Sequence, residues 1–280
     1  MNFRQQEKNL LLKKKNKMGQ KSNPTIINLS LKNAEWKFKY IEKNLEESTL
    51  LFYKNLEVQN YISNLFASYG ILIHSCYIEH NNNETNVIIL FTNLNSEELK
   101  NSTLNFLVNN LLILNLQLFF KSQKINIKTQ NLDKKFEFSL IKHRLIEYKQ
   151  LMNLLKRFIN KPSTKNLIKT IFVVISEKNS SKLLSEVIVN YFNTNKKRHG
   201  FILFFLKKTL SYLVTSNLSI IKGVKIVISG RFNGAPRSSK KILKIGSVPI
   251  QSFSKKINYN EQTAFTPNGT FGVKVWICEI

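Results

Sequence analysis

The 280-residue chain carries 43 Lys and Arg against 17 Asp and Glu, a formal net charge of +26, and 42% of its residues are hydrophobic. That length and apolar content allow a real core in one large or two modest domains, but a compact body at that charge repels itself unless a polyanion neutralises it. No run of about 18 apolar residues occurs, so no membrane-spanning helix is expected, and two cysteines, Cys76 and Cys278, without CxxC spacing, argue against a disulfide framework or a zinc site. The basic residues run through the whole chain instead of forming one tail, so nucleic acid is the expected polyanion.

Residues 1–17 are polar and basic, with Lys13-Lys14-Lys15. A cleavable transit peptide is Arg- and Ser-rich and acid-free, whereas this stretch has one Arg, no Ser and Glu7, so it reads as an extension. An RNA-touching tail and a disordered start both remain open. Val58, Tyr61, Ile62, Leu65, Phe66 and Tyr69 form a helical stripe over 50–69, with Gly70 as the residue after the cap. Ile71 to Glu79 predicts a strand, Asn81-Asn82-Asn83 a turn, and Thr85 to Thr92 a second strand. Asn95 with Glu98 resembles a capping box, opening a helix through Leu104, Leu107, Val108 and Leu111 to about Leu114. A short strand over Lys124 to Thr129 follows.

Ile141, Leu145, Tyr148, Leu151, Leu154, Leu155 and Phe158 sit at helical spacing, and Lys161-Pro162-Ser163 is expected to stop that helix. Ile168 to Ser176, apolar and β-branched, predicts a strand. Over 182–193, Leu183, Leu184, Val187, Ile188 and Tyr191 define the inner face of a helix; Lys196-Lys197-Arg198 breaks the pattern. A second helix from about Phe201 to Asn217 carries Lys207 and Lys208 and is the only candidate for a membrane-surface helix.

The last sixty residues organise the chain. Gly223 to Arg231 and Phe271 to Ile277 alternate as half-buried strands, and six of the nine glycines lie between 223 and 272. The turns between these strands are expected to carry Arg231, Arg237, Lys240, Lys241 and Lys244, a phosphate-binding surface on a rigid sheet or an ordinary solvated face. Catalysis finds no support. Asp133 is the sole aspartate, Glu46-Glu47 and Glu97-Glu98 sit on polar helix faces, and His74, His80, His143 and His199 lack HExxH or HxE spacing. The Gly269-Thr270-Phe271-Gly272 match to a GxxG loop leads into a strand, so it reads as a turn.

Four motifs carry a resemblance. Ser229-Gly230-Arg231-Phe232-Asn233-Gly234-Ala235 resembles the SGRLGGA turn of the small-subunit ribosomal protein S-three family, and Gly246-Ser247-Val248-Pro249 its GRVPL segment. Ile257-Asn258-Tyr259-Asn260, Ala264 and Gly269 to Ile277 follow the order of its IDY…A…YG..GVKVWI ending, and Met18-Gly19-Gln20-Lys21-Ser22-Asn23-Pro24 is similar to its MGQKxNP start. The resemblance covers 18–24 and 183–277 and is weak between. It implies an α+β chain: a degenerate type II KH-like N-terminal domain, then a C-terminal mixed α/β domain with helices packed on a sheet. The expected organisation is an N-terminal extension and family start (1–49), a KH-like domain (50–130), an inserted subdomain (131–182) and the family C-terminal domain (183–280). A KH module clamps RNA backbone on a GxxG loop, but no glycine occurs from 71 to 199, and the clamp position holds Asn93-Leu94-Asn95-Ser96. The scaffold is therefore expected to have lost its clamp.

The resemblance further implies a structural protein, not an enzyme, without cofactor or metal, in the small-subunit head. Its partners would be small-subunit rRNA, mRNA at the entry channel and neighbouring small-subunit proteins, with no membrane. RNA contacts are expected first from Arg231, then from Arg237, Lys240, Lys241, Lys244 and Lys21, with Lys207 and Lys208 on the entrance helix and Lys196, Lys197 and Arg198 just before it as the nearest basic residues to the messenger entrance. Abundant Lys, Asn, Ile, Leu and Phe fit an AT-rich organellar gene, and the missing GxxG points to a mitochondrion, with the plastid as alternative. An organellar RNA-processing or maturase-like factor is the competing function.

Overall fold

The computed structural model describes residues 23–29, 36–81, 84–93, 111–120, 124–139, 142–155, 162–194, 199–252 and 254–280. After a short helix α1 (Pro24–Leu29) and a two-residue strand β1 (Phe38–Lys39), the predicted stripe forms α2 (Leu45–Ser68). Val58, Ile62 and Phe66 of α2 are buried, and Gly70 takes φ +72° just past its end. The two expected strands are β2 (Ile71–His80) and β3 (Glu84–Asn93). The helix expected to end near Leu114 instead has an α-helical segment, α3, over Leu114–Phe120, because Leu116 and Phe120 still reach the core. Its proposed start at Asn95 lies outside the described residues, as do Leu94 and Ser96. Strand β4 (Lys124–Asn131) then pairs parallel to β3, completing a sheet of order β1-β2-β3-β4.

Asp133, at the start of α4 (Leu132–Ser139), accepts a hydrogen bond from the Asn93 backbone N–H at 2.9 Å and ties the end of β3 to that helix. The role of the one aspartate here is structural. Helix α5 (Lys142–Leu155) forms where the stripe expects a helix, but only Tyr148, Leu151 and Leu155 of that stripe reach the core, Leu145 and Leu154 being exposed, while Ile141 and Phe158 lie outside the described residues. Pro162 does not merely stop a helix; it opens α6 (Pro162–Ser176), where its missing N–H has no partner to lose.

The strand expected over Ile168 to Ser176 is helical. Ile168, Ile171, Phe172, Val173, Val174 and Ile175 are all buried, so apart from the exposed Lys169 this part of α6 is enclosed around its circumference. A helix enclosed on every side has no polar stripe, and its short apolar run is indistinguishable from a buried strand by period alone. Enclosure overrode the β propensity of its branched side chains.

Helices α7 (Ser181–Thr194) and α8 (His199–Val214) lie on one face of a second, antiparallel sheet. Its strands are β5 (Ile221–Gly230), β6 (Ser239–Gly246), β7 (Ile257–Thr266) and β8 (Gly269–Glu279), ordered β6-β5-β8-β7. Val224, Ile226, Ile228, Val273, Val275 and Ile277 project into one apolar cluster with Leu183, Leu184, Phe205, Leu206 and Leu210. Leu132, Phe136 and the buried residues of α6 belong to the same cluster. Strand β7 meets α7 through polar groups: Asn260 Nδ2 donates to Ser185 Oγ at 2.6 Å, and Ser181 Oγ donates to Asn258 Oδ1 at 2.8 Å. These bonds fix the rotation of α7 about its axis, which dispersion alone specifies weakly.

Cys76 and Cys278 are free and buried, and burial pushes the Cys76 thiol up to about 11. His74 is also buried, and desolvation lowers its pKa below the ordinary 6.5. Below pH 6.5 the unfolded chain therefore binds a proton at this site that the folded chain resists. Stability should fall as pH drops below 6.5, and His74→Gln should flatten that part of a denaturation-versus-pH series. Phe172→Ala, which empties an enclosed position on α6, should lower the free energy of urea unfolding by about 3–5 kcal/mol.

Candidate nucleic-acid interface

Gly230 ends β5 on the helix side of the sheet, where an added Cβ would run into the Phe271 ring. With no side chain at 230, that ring lies over the backbone and joins four elements. It stacks on Phe192 of α7 at 5.0 Å and meets the rings of His199 at 5.1 Å and Phe232 at 5.3 Å. Phe232–Gly234 then form one turn of 3-10 helix, with φ of +54° at Asn233 and +76° at Gly234. Asn and Gly are the residues that take such a conformation most easily.

His199 locks this turn reciprocally. Its backbone N–H donates to Asn233 Oδ1 at 3.2 Å, and its Nδ1 accepts from the Asn233 N–H at 3.1 Å. Nδ1 can accept only when the ring proton sits on Nε2. The start of α8 and the SGRFNGA turn are thereby one rigid unit. Arg231 is exposed, and its Nε donates to the Ala235 carbonyl at 3.0 Å. That bond orients the guanidinium through Nε and does not use its two terminal NH2 groups, the pair with which an arginine can grip a phosphate in two places.

The five basic residues expected on turns do not share one environment. Arg231 and Arg237 lie between β5 and β6, but Lys240, Lys241 and Lys244 are on strand β6, not on a turn. As an edge strand with both flanks partly wet, β6 lacks the clean alternation that would have marked it. Register separates its lysines: Lys240 is opposite Ser229 and Lys244 opposite Lys225, while Lys241 is opposite Ile228 on the helix side. Lys207 and Lys208 are exposed on α8, the latter over the Phe204 ring at 6.0 Å. Lys21, Lys196, Lys197 and Arg198 lie outside the described residues, although Arg198 immediately precedes His199. The membrane-surface alternative for α8 loses its apolar face, because Ile202, Phe205, Leu206, Leu210 and Leu213 are buried in the core.

Two basic residues absent from the sequence-based set also belong to this surface. Lys225 lies over the Trp276 ring at 5.0 Å, and Lys274 pairs with Glu261 at 3.1 Å. The Tyr259 hydroxyl and then the Lys274 ammonium hold the Glu261 carboxyl below its ordinary range. The available signal was strand parity, since 225 and 274 have the parity opposite to the helix-facing Val224, Ile226 and Ile228 of β5 and Val273, Val275 and Ile277 of β8. Gly230→Ala should displace the Phe271 ring and cost about 1–3 kcal/mol in thermal unfolding, whereas Gly200→Ala, whose added Cβ meets nothing within 4 Å, should be neutral or mildly stabilising.

A family profile described as ribosomal protein S3, C-terminal domain, matches residues 206–277, which run from the middle of α8 into β8. The small ribosomal subunit protein uS3 of Dictyoglomus turgidum is 32% identical over 119 residues, covering 40% of this chain and 46% of that protein. That of Endomicrobium trichonymphae is 39% identical over 72 residues, 26% of this chain and 30% of its own length. The protein uS3c of Cyanidioschyzon merolae is 44% identical over 57 residues, 20% of this chain and 28% of its own length. The chain thus spans less than half the length of each of these relatives. The matched region contains the turn, its Phe271 seat, strands β5 to β7 and most of β8, so this part of the chain is similar to the C-terminal domain of uS3 small ribosomal subunit proteins.

Proposed function

We propose that this chain is a structural, non-enzymatic constituent of the small ribosomal subunit that holds small-subunit rRNA in the head and helps form the mRNA entry channel. The observation that carries this reading is the Arg231 fork, fixed by its own Nε bond on a turn that the His199–Asn233 pair anchors to the core. A preset donor loses little conformational entropy on binding, which is what a permanent scaffold contact requires. Arg237, Lys240, Lys244 and Lys241 add phosphate contacts beside it, and the exposed Lys207 and Lys208 supply the entrance helix. The net charge of +26 makes a polyanionic partner the natural stabiliser of the whole chain.

The N-terminal half is proposed as a type II KH-like scaffold. Its supports are the helix–strand–strand–helix–strand order, the antiparallel β2–β3 pair and the parallel β3–β4 pair. The resident particle is proposed to be mitochondrial, with the plastid as alternative; the glycine-free stretch 71–199 is the support. Neighbouring head and entry-site proteins complete the partner set.

Washed organellar small subunits should retain the chain in stoichiometric amount, and substoichiometric, easily washed association would sink the proposal in favour of an RNA-processing factor. With in vitro transcribed small-subunit rRNA, neutralising 6–10 phosphates should cost about 10³–10⁵ in affinity between 50 and 200 mM salt. Arg231→Gln should lower the slope of log K against log salt by about one.

A further inference from the structure

The geometry points to the open face of the second sheet, away from α7 and α8, as an RNA-backbone platform built around a lysine row on β5 and β6. This rests on the ribosomal reading above and assigns it a surface. Strand register defines the face. From the β6 edge inward it carries Lys240, Ile242 and Lys244; then Ser229, Val227 and Lys225; then Gly272, Lys274 and Trp276; then Thr263, Glu261 and Tyr259. Lys240, Ile242, Lys244, Ser229, Lys274, Glu261 and Thr263 are exposed.

The charge balance commits the face to an anionic occupant. Four lysines face one carboxylate, and that carboxylate is already bound by Lys274 at 3.1 Å and by the Tyr259 hydroxyl at 2.6 Å. Lys225 and Lys244 stand directly opposite each other across β5 and β6. Like charges in that register repel and weaken the sheet. Lysine on the edge strand β6 has an ordinary use, blocking edge-to-edge pairing. Lys225 is on an interior strand and protects no edge, so its repulsion with Lys244 has no such use.

Shape supports the same occupant. At the level of Lys240 the next positions inward are Ser229 and Gly272, with Ser229 Oγ donating to the Gly272 carbonyl at 3.3 Å. A glycine inside a strand weakens it and marks places where another backbone comes close. An added Cβ at 272 would meet only Ser229 Oγ, at 3.1 Å, so the core does not demand this glycine. The result is a low trough bordered by Lys240 and Lys274 and continuous with Arg231, the residue that follows β5. A phosphodiester strand can lie in such a trough at the distance its lysine contacts require.

The test uses the full chain and in vitro transcribed small-subunit rRNA. Lys225→Gln/Lys240→Gln/Lys244→Gln should lower the salt slope by about three, one for each phosphate no longer neutralised. A charge-matched control, Lys128→Gln/Lys149→Gln/Lys169→Gln at exposed sites on β4, α5 and α6, should change it by less than about one. Ile242→Glu, in the centre of the row, should weaken binding at least about tenfold by repelling phosphate while leaving far-UV circular dichroism unchanged. Wild-type binding with the two triple variants alike overturns the platform alone, as does retention of the sheet-face triple in washed subunits with an unchanged slope, which would give the face to a protein. No wild-type binding overturns the ribosomal reading and the platform together.

Discussion

The absence of a side chain at position 230 sets the geometry of the C-terminal half. Phe271 can rest on the β5 backbone only there, and from that seat it meets α7 through Phe192, α8 through His199 and the basic turn through Phe232. One buried ring therefore makes the turn an extension of the core. The turn's left-handed residues at 233 and 234 persist because His199 holds Asn233 from both its N–H and its side chain. Arg231 inherits that rigidity, so the phosphate contact proposed for it would be preorganised in place of being assembled on binding.

Local pattern reveals what is half-buried and hides what is enclosed or exposed. Helix α2 and strand β8 were legible because each has one dry face and one wetter face, and β5 and α7 because their apolar residues keep the period of the element although few of their positions are exposed. Helix α6 was illegible as a helix because it has no wet face over Leu167 to Ile175 apart from Lys169. Strand β6 failed in the opposite way: an edge strand of lysines presents few buried positions to count. Strand β7 inverted the rule, since Asn258 and Asn260 face the helix layer and find Ser181 and Ser185 there. The site was legible as a list of basic residues, but not as a surface. Which lysines share a face depends on pairing register, and a shift of one residue would have exchanged Lys240 for Lys241.

The two sheets are joined through the stretch that lacks family resemblance. Leu72 of β2 belongs to the larger apolar cluster and Leu90 of β3 packs against it, so the first sheet is dry on both faces near its centre. Helices α4 and α6 supply much of the intervening material, and Asp133 fastens β3 to α4. Charged groups reinforce the same layer: Lys135 pairs with Glu177 at 2.7 Å, and the half-buried Lys182 and Glu186 approach to 3.7 Å. Residues 131–182 therefore help bury the core that the recognisable C-terminal sheet presents. This is why a sheet of familiar sequence can sit in a chain whose middle has no familiar motif.

Surplus charge then has two consequences of opposite sign. In the free chain, 26 uncompensated positive charges and the facing pair Lys225–Lys244 oppose compaction, so added salt screens repulsion and favours folding. In a complex with RNA the same salt competes with the phosphates and favours release. A cation excess retained for solubility alone would show only the first effect, because no partner's counterions would be liberated. Spacing separates the two cases. Solubility is served by lysines placed far apart, where they repel least, whereas a phosphate chain needs them aligned on adjacent strands about 4.8 Å apart. Lys225 and Lys244 are on adjacent strands in direct register, with Lys274 two residues along the next strand. That arrangement places like charges together in the chain alone, offset in part by the Trp276 ring under Lys225, and the polyanion proposed above would relieve the repulsion.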